Sequence, residues 1–146
     1  MSGRPASVDP CFAVGLPVRE AAEIVYDEDR AAVALQLTFA DDSSLVCTVW
    51  TDWTLVIEKR ADNRVPEYFW PPTAFSVRTI LPGPDLEVVS ASLSRDEVGE
   101  VMGADFLIGG RRITVRSFGG EVDIAVMGGP RRREPASPTA QTSDDQ

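Results

Sequence analysis

Residues 33–59, VALQLTFADDSSLVCTVWTDWTLVIEK, decide the fold of this chain, because apolar and polar side chains alternate through them in short segments. Apolar residues occupy every second position from Val33 to Phe39, which is the pattern of a strand with one buried face. The letters DDSS at 41–44 predict a turn, since Asp and Ser side chains bond nearby backbone N–H groups. Two further strands on either side of a second turn, at 51–52, complete a β-meander.

The composition fits one small, turn-rich β domain. The chain has 146 residues, 43% of them hydrophobic, with 11 Gly and 11 Pro, and this length predicts a single domain. No apolar run approaches the roughly 18 to 20 residues that span a membrane. The N-terminal sequence MSGRPASVDPCFAVGLPV is a poor signal peptide, because Pro and Gly interrupt its apolar stretch. We therefore expect a cytoplasmic protein.

The charge is strongly negative. The formal net charge is −9, and residues 8–129 carry 20 acidic and 10 basic side chains. Such a surface repels nucleic-acid phosphates and anionic membranes, and it suits a basic protein partner or serves solubility alone. The basic residues are 13 Arg and a single Lys, Lys59. This excess of Arg over Lys, with abundant Ala, Gly and Val, is typical of a GC-rich bacterial genome.

The segments on either side of the meander are less regular. Residues 1–17 lack periodicity and predict a flexible N-terminal segment. Residues 18–26, VREAAEIVY, suit a helix or a strand, and we favour a strand that pairs with the one beginning at Ala31. A long loop rich in Pro and aromatic residues follows at 60–85.

Within that loop, apolar and polar residues alternate over residues 75–81, as they would in a short strand. Residues 86–93 predict another strand, whose apolar phase slips at Val88-Val89 and indicates a β-bulge.

One short helix is predicted at 94–102. Ser94 and Glu97 have the spacing of a capping box, and Gly103 supplies a stop. A second meander then turns at the Gly pairs 109–110 and 119–120, and the tail 130–146 has the composition of a disordered segment. The predicted fold is a mainly β, antiparallel domain over 18–129, a bent sheet or partly open barrel of about eight or nine strands.

The residue types argue against most catalytic and metal-dependent functions. The chain has no His, which removes Ser–His and Cys–His nucleophilic pairs and His-based zinc sites. Cys11 and Cys47 lack metal-type spacing, so two free thiols are predicted. No phosphate-binding glycine motif is present. We expect no cofactor, no metal and no enzymatic activity.

Carboxylates are the plentiful reactive groups. Asp41 and Asp42 lie in one predicted turn, and Asp27 in another, so they gather at one rim if the turns share an end of the sheet. Solvated turn acids are the favoured interpretation, and a carboxylate pair of the glycosidase kind is the alternative.

The aromatic residues form two groups, one around the 51–52 turn and one between the prolines of the long loop. If the loop folds over the sheet, Phe69 or Trp70 packs on Trp50 and closes a second small core. If the aromatics are exposed, they anchor a partner, because Trp and Tyr are frequent interface hot spots. The predicted partner-binding residues are Trp50, Asp52, Trp53, Tyr68, Phe69, Trp70, Asp41 and Asp42.

The stretches LTFADDSSLVCTV and DWTL, and later SFGGEVDIAV, resemble small, uncharacterised, β-rich bacterial domains. Some of these are encoded beside polymorphic toxins and act as immunity proteins. The resemblance covers residues 18–59 and implies a β-rich fold and an inhibitory role towards a toxin.

Three function classes remain at this point. The first is a non-enzymatic interaction protein, in particular an immunity-type inhibitor of a basic toxin or nuclease. The second is a small-molecule or lipid binder with a pocket between the sheet and the aromatic loop, and the third is a carboxylate-based enzyme. Exposed aromatics beside acids favour the first class, and a closed apolar cavity favours the second.

Overall fold

The computed structural model describes residues 5–128, apart from the side chains of residues 82–85. Within this range the chain forms β-strands and two single-turn 3₁₀ helices, Pro10–Ala13 and Pro72–Ala74, and no α-helix. The strands are β1 (Pro17–Tyr26), β2 (Ala31–Phe39), β3 (Ser44–Val49), β4 (Leu55–Arg60), β5 (Phe75–Arg95), β6 (Val101–Ile108), β7 (Arg111–Phe118) and β8 (Glu121–Gly128). The predicted tail, 130–146, lies outside the described residues.

All strands join one open antiparallel sheet in the order β4-β3-β2-β1-β5-β6-β7-β8. β5 belongs to both halves of this sheet, since residues 75–87 pair with β1 and residues 88–95 pair with β6. The sheet has eight strands, or nine if the two arms of β5 are counted separately. The prediction of a mainly β, antiparallel domain with eight or nine strands is confirmed.

The sheet folds over on itself at β5, so that its two halves face each other. β2 lies against β8, β3 against β7 and β4 against β6. The first half, β1–β4 with the first arm of β5, and the second half, the other arm with β6–β8, bury one core between them. Its fully buried side chains include Leu35, Leu37, Leu45, Cys47, Leu55 and Ile57 from the first half and Phe106, Ile108, Ile113 and Val115 from the second.

Both cysteines are free thiols, and Cys47 lies in this core while Cys11 is exposed. Burial raises the pKa of the Cys47 thiol well above its ordinary value. Cys47 therefore packs as a small apolar residue.

The N-terminal segment lies against the outer edge of β4. The backbone N–H of Val8 donates to the carbonyl of Ile57 at 2.8 Å, and the N–H of Ile57 donates to the Ser7 hydroxyl at 3.1 Å. Pro10 and Ala13 are buried at the edge of the main core. Residues 7–13 are thus held by the sheet, although their sequence shows no periodicity and predicted flexibility.

The prediction of a helix at 94–102 is wrong. Ser94 and Arg95 end β5, Val101 begins β6, and the residues between them form a hairpin turn. The Asp96 carboxylate accepts from the backbone N–H groups of Val98, at 3.0 Å, and Glu100, at 2.9 Å. An Asp that closes a turn by bonding to the following amides produces the same local polar pattern as a helix cap.

Two details of the predicted strands are confirmed and one is wrong. Residues 18–26 form a strand, and the register of β5 against β6 shifts between Val88 and Ser90, where the bulge was predicted. The segments 75–81 and 86–93, predicted as separate strands, are instead parts of the continuous β5.

Candidate functional site

Residues 61–74, here called the cover loop, cross the outer face of the first half from the end of β4 to the start of β5. A second small core lies under this loop. Ile24, Ala34 and Val46 are buried on the outer face of the strands, and Val65 and Phe69 of the loop pack on them. The loop's own side chains therefore occupy the space over these three residues.

Polar side chains of β2 and β3 hold the backbone of the cover loop. The Gln36 amide donates to the carbonyls of Asn63, at 3.3 Å, and Arg64, at 3.1 Å. The Ser44 hydroxyl donates to the carbonyl of Asp62 at 2.6 Å. Gln36 and Ser44 are both buried, so each hydrogen bond satisfies a group that water does not reach.

An ionic network ties the loop to the end of β4. The Arg60 guanidinium lies 2.9 Å from the carboxylate of Glu58, 3.0 Å from that of Glu67 and 3.6 Å from that of Asp62. The pKa of the Asp62 carboxyl is lowered, first by the Arg64 backbone N–H and then by the Arg60 charge. The pKa of Glu67 is lowered by its own backbone N–H and by Arg60.

The aromatic residues of the first half form a chain of contacts. Ring centroids lie 5.3 Å apart for Trp50 and Tyr68, 4.9 Å for Tyr68 and Phe69, and 5.3 Å for Phe69 and Phe75. The Tyr68 hydroxyl donates to Glu58 at 2.8 Å. Burial, followed by this hydrogen bond, raises the pKa of Tyr68. Tyr68 makes the contact with Trp50 that the sequence analysis assigned to Phe69 or Trp70.

Two tryptophans remain outside this packing. Trp70 is 77% exposed and Trp53 is 60% exposed. Trp53 lies in the turn between β3 and β4, and its indole rests on Gly120 in the turn between β7 and β8. A Cβ at position 120 would stand 3.0 Å from the indole Nε1, so a side chain there would crowd the indole. The two turns meet there, although they are far apart in the sequence.

An open groove of about 390 Å³ lies between the first half and the start of β8. Its lining includes Val33 and Val49 of the first half, Phe69 of the cover loop and Val122 of β8. Asp29 and Glu121 contribute carboxylates. We call it the turn groove, because Gly120 also lines it and the contact between Gly120 and Trp53 places the exposed indole beside it.

The turns around this groove carry mostly negative charge. The β1–β2, β3–β4 and β7–β8 turns, together called the turn end, expose five acids, Asp27, Glu28, Asp29, Asp52 and Glu121. Their only base is Arg30. A positively charged group approaching Trp53 therefore meets an attractive field.

Asp41 and Asp42 lie at the opposite end of β3 from Trp53, because their turn precedes β3 and that of Trp53 follows it. Asp42 forms an ion pair with Arg19. Asp41 accepts from the Ser43 hydroxyl at 2.6 Å and from its backbone N–H at 3.0 Å, and these bonds lower the pKa of Asp41. The predicted gathering of Asp41 and Asp42 with Asp27 at one rim is wrong.

Of the eight predicted site residues, the structure brings Trp50, Tyr68 and Phe69 together as the packing of the cover loop. Asp52 and Trp53 share the turn end, where Asp52 accepts from the backbone N–H of Thr54 at 3.1 Å. Sequence reasoning missed Gly120, Glu121 and Val122. The Gly pair at 119–120 signalled a turn, and no local pattern indicated that this turn meets Trp53.

No group of three or more Cys, Asp or Glu side chains among the described residues is arranged to hold a metal ion. None of the helical segments in this part of the chain has the length and apolar character needed to cross a membrane. Comparison with protein-family models, with curated proteins and with solved structures found no match.

Proposed function

We propose that this protein is a non-enzymatic binding module that recognises a basic protein at its turn end. The observation that carries the proposal is the indole of Trp53, which is held on Gly120 and is 60% exposed beside the turn groove. An exposed indole beside a groove offers the kind of aromatic contact that is frequent among interface hot spots.

The charge of the turn end supports a basic partner. The turn end exposes five acids and the single base Arg30, and two of the acids, Asp29 and Glu121, line the turn groove. Complementary charge speeds association and selects against acidic partners. The aromatic side chain, once it is buried in the interface, supplies most of the affinity. Trp70, which is 77% exposed next to Phe69, offers a second apolar contact on the neighbouring surface.

Within this class we propose an immunity-type inhibitor of a basic toxin or nuclease, in line with the resemblance of the first meander. An inhibitor of this kind needs no chemistry of its own. It needs a surface whose charge opposes that of the toxin, and the turn end combines an exposed aromatic ring with acidic groups on a β-sheet scaffold.

A small-molecule or lipid binder is the second class considered, and the packing gives it less support. Its pocket would lie between the sheet and the aromatic loop, where Val65 and Phe69 already pack on Ile24, Ala34 and Val46.

The test is affinity capture with the full chain from a lysate of the native host, at low and at high salt. We expect one basic protein that is retained at low salt and lost at high salt, because exposed charges are screened. The captured protein is then purified and titrated against wild type, Trp53→Ala and Val89→Ala. Val89 is 52% exposed on β5 and serves as the matched control.

Trp53→Ala should weaken binding by about tenfold or more, since truncation of an aromatic hot spot costs about 2 kcal/mol or more. Val89→Ala should bind as wild type does. Capture of an acidic protein, or equal affinity of wild type and Trp53→Ala, would contradict the proposal. Native mass spectrometry of the purified chain tests the alternative, and a stoichiometric bound small molecule would favour it.

A further inference from the structure

The two outer edges of the sheet differ in what lies beside them. Ser7 and Val8 of the N-terminal segment bond to Ile57 along the outer edge of β4. β8 pairs with β7 on one side, and no other segment among residues 5–128 pairs with its outer edge. An exposed strand edge presents unpaired N–H and C=O groups, which favour the addition of another strand.

The hairpin fixes which backbone groups face that outer edge. β7 and β8 are joined by Gly119 and Gly120, with φ of 61° and 86°, and Phe118 pairs with Glu121 across this two-residue turn. In such hairpins the closing pair is hydrogen-bonded, and bonded pairs alternate along the strands. The polar backbone groups that point away from β7 therefore belong to Val122, Ile124 and Val126.

The side chains of the same three residues point into the sandwich. Ile124 pairs in register with the buried Val115, and Val126 pairs with the buried Ile113. Val126 is nevertheless 38% exposed, because β8 is the last strand and nothing described covers its far side. A strand added to β8 would form hydrogen bonds with these backbone groups and cover the side chains of Val122, Ile124 and Val126.

We propose that β8 pairs antiparallel with β8 of a second copy of this chain, with the two-fold axis at Ile124. In this register Val122 faces Val126 of the second copy, and Ile124 faces Ile124 of the second copy. On the outer surface, Asp123 faces Ala125 and Glu121 faces Met127 of the second copy. Every inward pair is apolar, and no acid stands opposite an acid.

Other registers are less favourable. A slip by one residue would place the inward face of one strand against the outward face of the other. A two-fold axis at Asp123 would set two Asp carboxylates directly opposite each other, which is destabilising. An axis at Ala125 would leave Val122 opposite Gly128, which has no side chain to pack.

The charge of the chain beyond β8 also suits this arrangement. The sequence continues from Gly128 to Arg131, Arg132 and Arg133. In the antiparallel pair Met127 lies beside Glu121 of the second copy, so the chain leaves β8 at the acidic turn end of the other molecule. The basic sequence at 131–133 is therefore opposite in charge to this end of the second copy.

Two variants at one position test this register on the full chain. Ala125→Glu places a carboxylate opposite Asp123 of the second copy, twice in the symmetric pair, and should raise the dimer dissociation constant by about tenfold. Ala125→Lys places an ammonium there and should lower the constant several-fold. Sedimentation equilibrium measures both constants.

Val98→Glu and Val98→Lys are the charge-matched controls. Val98 is 76% exposed in the turn between β5 and β6, so these variants change the net charge without touching β8. Their dissociation constants should stay within about twofold of wild type. Equal effects of Ala125→Glu and Ala125→Lys, or a wild-type chain that is monomeric at millimolar concentration, would overturn the proposal.

Hydrogen exchange gives a second, structural readout on the wild-type chain. The amides of Val122, Ile124 and Val126 should become at least tenfold more protected as the concentration rises through the dissociation constant. Protection of these amides that is independent of concentration would mean that the chain's own residues after Gly128 occupy the edge, and it would refute the pairing. The experiment involves no basic partner, so its failure leaves the proposed function untouched.

Discussion

The two halves of the sheet differ in what covers their outer faces. In the first half the cover loop lies over the outer face, and every residue of β3 from Ser44 to Thr48 is buried. In the second half the outer face meets solvent, and β7 exposes Arg112 and Arg116 on either side of its buried centre. The inner faces of both halves form the same core, so the cover loop accounts for the difference.

The cover loop changes the hydrogen-bond partners of the polar side chains beneath it. Gln36 and Ser44 lie on the outer face of the first half, and each donates to a carbonyl of the cover loop. On the second half the buried Thr114 hydroxyl donates to Asp105 of the neighbouring strand β6 at 2.6 Å. Polar side chains of the outer face thus anchor a loop in one half and bond to a neighbouring strand in the other.

The largest effect expected from this difference is that of Phe69→Ala. The ring packs on the second small core under the loop, and because it is half-buried its loss should lower the free energy of unfolding by about 2 kcal/mol. Met127→Ala and Trp70→Ala remove side chains that are more than half exposed and should change it by less than about 0.5 kcal/mol. Urea unfolding measures all three, and equal values would show that the loop adds no stability.

A smaller difference is expected between Tyr68→Phe and Thr114→Val. Each variant removes a hydroxyl that donates to a carboxylate, at 2.8 Å to Glu58 and at 2.6 Å to Asp105. Thr114 is buried and Tyr68 is half-buried under the loop, so each variant should cost about 1 kcal/mol. Tyr68→Phe should cost less than Thr114→Val, because Glu58 keeps its hydrogen bond to Arg60 at 2.9 Å. The reverse order in urea unfolding would contradict the view that a second partner limits the cost.

The smallest effect concerns acid stability. The folded protein lowers the pKa values of Asp62 and Glu67 below their ordinary values of 3.8 and 4.5. Their contribution is complete above about pH 4.5 and is lost as the pH falls through the lowered values, because a protonated carboxyl no longer attracts Arg60. The double variant Asp62→Asn with Glu67→Gln should lose less stability on acidification than wild type. Urea midpoints at several pH values test this, and parallel curves would count against it.

The strands were largely predictable because one buried face leaves a period of two in the sequence. Residues 33–39 and 111–118 show this alternation, and both are strands. The continuity of β5 was hidden, since Pro82 and Pro84 looked like strand ends. The strand runs on through these prolines where the chain passes from one half to the other.

The false helix has a physical explanation of a different kind. Ser94 and Glu97 match a capping box, and a cap and an Asp turn use the same short polar side chains. Gly99 decides between them, because its φ of +89° suits a turn and not a helix interior. This preference is not visible from the spacing alone.

The candidate site was predictable only in its parts. Trp53 and Asp52 stood out as residues of an exposed turn, and the aromatic loop stood out by its composition. Gly120, which contacts Trp53, lies 67 residues after it in the sequence. Contacts of this kind depend on how the sheet folds at β5, and a single sequence carries no local signal for them.

The position of β1 has a consequence for synthesis on the ribosome. β1 emerges first, yet in the finished sheet it stands between β2 and β5. Its β5 side therefore waits, as an unpaired edge, until Phe75 and the residues after it have been translated. During that interval the nascent meander is open to pairing with other chains, and a chaperone that holds it until β5 arrives should raise the yield of native protein.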